Sequence, residues 1–257
     1  MKSLVITADD FGAAKEVNDA VETAHRHGVL TAASLMVTGA AAADAVARAK
    51  AMPSLRVGLH LVLVDGTAAL PVSQVASLVR GGRFDSNMAR AGAAMFFRPK
   101  ARRELAREIE AQFQAFAATG LALDHVNTHK HFHLHPTIAA LTIAIGRRYG
   151  MKALRVPFET DHWPARLLRR RYRAQGLLVP DRVYGLRRSG AMTEERLAAI
   201  LRTLPDGLSE IYLHPATGAY PGSAPGYRYA EELQALQAVE IPKDFRRGGF
   251  ADFATAK

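Results

Sequence analysis

The stretch Ser3-Leu4-Val5-Ile6-Thr7-Ala8-Asp9-Asp10-Phe11-Gly12 decides how the chain is read. Ser3–Thr7 is a short β-type run that ends on two acids and not on a glycine-rich phosphate loop. An open doubly wound sheet often carries G-x-G-x-x-G at this place. Working outward, Ala13–His27 carries Val17, Ala20, Val21 and Ala24 at helical spacing, and Gly28 stops it. Ala33–Val37, Arg56–Val64, Leu121–Asn127, Lys152–Val156 and Glu210–His214 read as further strands. Between them lie an Ala-rich helix reaching Lys50 ahead of Pro53, a helix over Lys100–Ala118, and one from Pro136 towards Tyr149. Thr193–Leu204, with Thr193 as N-cap, and Tyr229–Val239 complete the helices. Strands alternating with helices predict βα units and a parallel sheet. Asp9, Asp10, His60, the His129 cluster, Arg155 and His214 all fall at the C-terminal ends of strands, as a barrel active site requires. The predicted fold is α/β, a (β/α) barrel of parallel strands that is distorted or has fewer than eight strands. One domain is expected over 1–257, with irregular excursions at 65–99 and 157–190.

The chain has 257 residues, 49% hydrophobic and 23% charged, so it can build a core and is not disordered over most of its length. Zero cysteine excludes disulfides, thiolate metal sites, iron–sulfur clusters and a Cys nucleophile. Two acids within the first ten residues argue against a signal peptide, and the apolar run Thr137–Gly146 is too short to span a bilayer. A cytoplasmic protein is expected. The net charge is +10, and +7 of it comes from Ala165–Gly190, where eight Arg stand against Asp181. Such a basic arm suits an anionic partner (nucleic acid, anionic lipid or a phosphorylated substrate) or serves simply as a solvated helix face.

Three features carry the chemistry. Asp9-Asp10 are paired carboxylates after an apolar strand, costly to bury without a cation or proton between them. Either acid alone could merely cap the next helix. His60 interrupts the apolar run Val57-Gly58-Leu59-His60-Leu61-Val62-Leu63, where it is either a ligand or a core imidazole. Finally, five of the ten histidines fall in His125–His135, and in an extended segment His129, His131, His133 and His135 would share one face. A carboxylate and two imidazoles form a metal site with open positions, suited to metal-assisted hydrolysis.

Val5-Ile6-Thr7-Ala8-Asp9-Asp10-Phe11-Gly12, the His60 strand, Thr128-His129-x-His131-x-His133 and His214-Pro215 together resemble the YdjC-like (ChbG-like) carbohydrate deacetylases. The resemblance implies a distorted barrel and one divalent ion, Mg or Zn, held by Asp10, His60 and His129. It implies Asp9 as general base and His214 as general acid. Arg155, His131, His133 and Tyr220 are the candidate substrate contacts, Arg155 alternatively orienting Asp9. Asn127 stands where many relatives carry Asp, so it would orient a ligand His with less charge. Asn127–Pro136 with Pro180-Asp181-Arg182 and Ser189-Gly190 is similar to the hopanoid-biosynthesis-associated (HpnK-like) branch. That branch implies an N-acetylglucosaminyl group on a hopanoid lipid as substrate, with soluble chito-oligosaccharides as the alternative. Leu167, Leu168, Tyr172 and Leu177 among the arginines would then give a peripheral contact at the inner membrane face through Arg166–Arg188. No nucleic acid partner is expected. A metal- or nucleic-acid-binding protein would not need the acid pair, and a phosphoester hydrolase working with two metals would need a second ligand set.

Overall fold

In the computed structural model, which describes residues 1–254, β1 (Lys2–Phe11), α1 (Lys15–His27), β2 (Ala32–Leu35), α2 (Ala42–Lys50) and β3 (Arg56–Leu61) follow in strict alternation. An excursion of α3 (Val72–Val75), a hairpin of β4 (Val79–Arg80) and β5 (Arg83–Phe84), and α4 (Met88–Phe97) comes next. Then come α5 (Pro99–Ala118), β6 (Val126–Thr128), a kinked 3-10 segment (His129–Leu134), α6 (Pro136–Gly146), α7 (Trp163–Arg173) and β7 (Arg182–Tyr184). The chain continues through α8 (Glu194–Thr203), β8 (Gly207–Leu213), α9 (Tyr229–Ala238) and β9 (Arg246–Arg247).

The strands pair in parallel in the order β6-β3-β2-β1-β8-β7, and β9 pairs with Ser3 and Leu4 of β1. Beyond β6 the parallel pairing continues through the single bridges Val126↔Leu154 and Ala153↔Leu178. The Val183 N–H also donates to Phe158 O at 3.1 Å. The segment carrying β7 therefore meets both 153–158 and β8, and the sheet curls into a distorted parallel barrel. The expected strand Lys152–Val156 is thus present only as isolated bridges. Pro157, which has no N–H to give, ends its ladder. The expected strand Leu121–Asn127 shifts to Val126–Thr128.

Side chains along β1 alternate between two environments, as a pleated strand requires. Leu4, Ile6 and Ala8 face outward into the large core shared with the helices, as do Leu59, Leu61 and Leu213. Val5 faces inward and packs with Ala32, Ala153, Leu208 and Phe250 in a separate small cluster. Further along the inward-facing rows the residues turn polar: Thr7, Asp9, Ser34, His60, Asn127, Arg155 and Glu210 are all buried. A parallel barrel is usually filled by Val, Ile and Leu. This one is filled by hydrogen-bonded polar groups, which burial makes costly unless each finds a partner.

The 65–99 excursion is more regular than its glycine content suggests. Glu108 of α5 accepts the N–H groups of Ala69 and Leu70, Glu104 accepts that of Ser77, and Gln112 brackets Val62 through both its amide atoms. In the 157–190 excursion α7 presents Trp163 and Leu167 outward, while Arg169 and Tyr172 are buried. The expected amphipathic face therefore keeps only part of its apolar set, because Tyr172 and Leu177 pack inside the fold. No helix among the described residues is long and apolar enough to cross a membrane.

Candidate metal centre

Adjacent residues of a strand point to opposite sides, yet Asp9 and Asp10 line the same cavity of about 500 Å³. The reason is local. Asp10 takes a left-handed conformation, φ 63°, and the β1–β2 register slips between Ala8 and Phe11. A bulge of this kind redirects a side chain at a strand end. The left-handed conformation costs about 1–3 kcal/mol in a non-glycine residue and recurs at functional sites. Neither acid caps α1, whose N-cap position is Ala14 with no side-chain bond.

Asp10 Oδ1 lies 3.2 Å from His60 Nε2 and 3.1 Å from His129 Nδ1. The ligand atoms of these three residues all fall within 4.8 Å of one another. Ligands held about 2.0–2.2 Å from one divalent ion stand roughly 3 Å apart, so the spacing fits such an ion. The hydrogen bonding of His60 fits it as well. Asn127 donates through Nδ2 to Asp9 Oδ1 at 3.1 Å, which leaves Asn127 Oδ1 to accept from His60 Nδ1 at 2.6 Å. His60 Nε2 is buried, has no hydrogen-bond partner, and turns its lone pair towards a carboxylate. Two acceptors facing each other call for a cation between them. Burial alone would raise the Asp10 carboxyl, but His129 beside it outweighs this and holds the group well below the usual carboxylate range. Burial opposes protonation of His129, and the Asp10 charge outweighs this and raises it.

Asp9 sits in a different environment. Arg155, fully buried, grips it with two bonds of 2.5 and 2.9 Å and reaches Glu210 Oε1 at 2.7 Å with the same Nη2. Thr7 also donates to Glu210, and the Tyr212 ring lies 4.4 Å from the guanidinium carbon. Burial pushes the Asp9 carboxyl up, but the Arg155 charge outweighs it and keeps the group ionised far below its ordinary value. Arg155 therefore orients Asp9. As a direct substrate contact it is corrected, because its side chain is enclosed and does not reach the cavity wall.

The histidine cluster also departs from the expected extended strand. Lys130 and His131 both have φ 54°, and the segment coils. Thr128 Oγ1 accepts the His133 N–H at 2.9 Å and donates to its Nδ1 at 2.8 Å, while His133 Nε2 donates to Arg155 O at 2.8 Å. His133 is therefore spent inside the fold, which corrects its expected substrate role. Burial pushes its imidazole down to about 4. His131 and Tyr220 do line the cavity, and His131 Nε2 meets Tyr212 Oη at 2.7 Å. His214 lines it too, with Nδ1 free and its ring edge-on to Tyr212 and Tyr227. Ser34, Asp124 and Glu210 take roles that no sequence motif marks; for Ser34 and Glu210 the signal is a hydroxyl and an acid on inward positions of otherwise apolar strands.

The family described as YdjC-like protein matches residues 3–247. A carbohydrate deacetylase of Brevibacillus brevis is 35% identical over 245 residues, covering 93% of this chain and 92% of its own. A chitooligosaccharide deacetylase of Enterobacter sp. is 35% identical over 159 residues, 60% of this chain and 59% of its own. Among solved structures, an Enterococcus faecalis V583 protein described as a cellobiose-phosphate cleavage protein superposes with TM-score 0.80 over 99% of both chains at 24% identity, which bears on the fold alone.

Replacing Arg155 by Met leaves Asp9 and Glu210 buried without their cation, so denaturant unfolding should show a loss of about 3–5 kcal/mol. For His133 the folded value of about 4 lies below the ordinary 6.5. The unfolded chain then binds the extra proton first, so stability is whole above pH 6.5 and falls as pH drops towards 4. The slope is at most about 1.4 kcal/mol per pH unit. Unfolding curves across that interval should be visibly flatter for His133→Gln.

Proposed function

Since the chain belongs to the YdjC-like family, we propose that it is a metal-dependent hydrolase that removes the N-acetyl group from an amino sugar. The observation that carries this reading is the convergence of Asp10 Oδ1, His60 Nε2 and His129 Nδ1 beside Asp9 in one cavity. The relatives named carbohydrate and chitooligosaccharide deacetylase support it. Asp10, His60 and His129 would hold one divalent ion, Mg or Zn, which when bound would supply Lewis acidity for the acetyl carbonyl and the attacking water. Asp9 accepts the proton of the attacking water. Arg155 holds Asp9 ionised and in place to take that proton. The water oxygen adds to the carbonyl carbon, the C–N bond breaks, and His214 as general acid gives the amine its proton. Acetate and the free amino sugar leave. His131 and Tyr220 contact the sugar from the cavity wall.

On the finer question of substrate, the reading takes an N-acetylglucosaminyl group on a hopanoid lipid, with soluble chito-oligosaccharides as the alternative favoured by the chitooligosaccharide deacetylase relatives. Exposed Trp163 and Leu167, set among Arg166, Arg170 and Arg171 on α7, support contact with the cytoplasmic face of an anionic membrane. Phosphoester hydrolysis is less well served, since no second ligand set accompanies the first among the described residues.

Asp10→Asn and His129→Ala should each abolish both bound divalent metal and acetate release from an N-acetylated chito-oligosaccharide. Asp9→Asn should retain metal and lose at least about 100-fold in turnover. Acetate release by rigorously metal-free protein would overturn the assignment. Replacing Arg166, Arg170 and Arg171 by Gln should weaken sedimentation with phosphatidylglycerol vesicles and leave the rate on the soluble sugar unchanged. Equal sedimentation would remove the membrane contact.

A further inference from the structure

We propose that Asp124, His125 and Ser34 are positioning residues that fix, through Asn127, which nitrogen of His60 carries the proton. The consequence for metal binding rests on the reading of Asp10, His60 and His129 as a metal site. All of the side chains involved are buried, and they form one chain of hydrogen bonds running away from the site into the barrel interior. His60 Nδ1–H donates to Asn127 Oδ1 at 2.6 Å. Asn127 Nδ2 donates to Ser34 Oγ at 2.9 Å as well as to Asp9. Ser34 Oγ, having accepted that bond, directs its single proton to His125 Nε2 at 2.9 Å. His125 Nδ1–H donates to Asp124 Oδ2 at 2.9 Å. Asp124 accepts the N–H groups of Phe250 and Ala251 at 3.0 and 2.8 Å.

The direction of every bond follows from its two ends. Asp124, as a carboxylate, only accepts, so a neutral His125 places its proton on Nδ1 and offers a lone pair at Nε2. That lone pair orients the Ser34 hydroxyl, whose oxygen then faces Asn127 as an acceptor. The amide cannot turn over without setting its carbonyl against Ser34 and Asp9 together. His60 therefore keeps its proton on Nδ1 and presents Nε2 to the cavity. This hydrogen-bond chain includes a Ser–His–Asp series, but Ser34 Oγ is enclosed and no substrate reaches it. The site is built for the His125 ring: a Cβ at Gly58 would lie 2.5 Å from Cε1, and the Phe250 and His125 ring centroids are 4.8 Å apart. Holding the far nitrogen of a ligand imidazole in this way typically changes metal affinity by about 10–100-fold.

The test uses full-length protein labelled with 15N-histidine, with His60→Gln assigning the resonance. Metal-free wild type should show His60 protonated at Nδ1. Ser34→Ala and Asp124→Asn, checked as folded by circular dichroism, should show His60 shared between tautomers. Their dissociation constants for Zn2+ should rise about 10-fold or more, and Ser34→Thr should restore both readouts. A folded Ser34→Ala protein with the wild-type tautomer would overturn the proposal, whatever its activity. Should wild type bind no divalent ion while the variants still redistribute the His60 proton, the positioning stands and the metal reading falls.

Discussion

The whole site depends on one enclosed guanidinium. Arg155 has no exposed surface and lies between two carboxylates, Asp9 and Glu210, inside the barrel. Burying three charges is expensive, and the attraction between them offsets the cost only where the geometry is good and the remaining polar atoms are bonded. Thr7, Asn127 and the Tyr212 ring supply part of that surrounding. The arrangement stores little stability of its own. What it yields is a carboxylate fixed in place at a strand end, ionised and aimed at a cavity. A barrel with an aliphatic interior would be simpler to fold but would have nothing to hold Asp9 with.

Asp9 and Asp10 illustrate how neighbours in sequence acquire different work. Asp9 answers to a permanent cation, Arg155, and Asp10 to two imidazoles. The slip in register and the left-handed backbone at Asp10 place the two carboxylates in one space without giving them the same partners. Two like charges this close in sequence would otherwise force one of them to take up a proton. Here Arg155 supplies the positive charge for Asp9, and an ion held with His60 and His129 would supply it for Asp10.

Much of this was legible in the sequence. A strand ending on two acids, a His inside an apolar strand and a later His cluster located Asp10, His60 and His129 on separate strand ends, and the alternation of strands and helices gave the parallel barrel. What could not be read was governed by contacts between distant residues. From the sequence Arg155 could orient Asp9, grip a sugar hydroxyl or form a surface ion pair, and only its pairing with both Asp9 and Glu210 shows why it is enclosed. The histidines at 131 and 133 looked equivalent by alternation, but Thr128 coils the segment and sends one ring to the cavity and the other to the backbone of Arg155. Period-two patterns assume an extended chain, and two consecutive left-handed residues defeat them. Likewise the tie between Ser34 and His125 spans ninety-one positions and leaves no local trace.

The residue at 127 draws these threads together. It must accept a bond from His60 Nδ1–H and donate bonds to Asp9 and Ser34. An aspartate could do the first but would have nothing to donate. It would also set a further carboxylate against Asp9 Oδ1, where Asn127 Nδ2 now stands at 3.1 Å. With Asp9 and Glu210 already sharing Arg155, that added negative charge would favour taking up a proton over staying ionised. The amide carries a donor and an acceptor on one planar group, so it satisfies both sides with no net charge. In this barrel Asn127 is thus the junction at which the holding of Asp9 and the orientation of His60 become a single hydrogen-bonding problem.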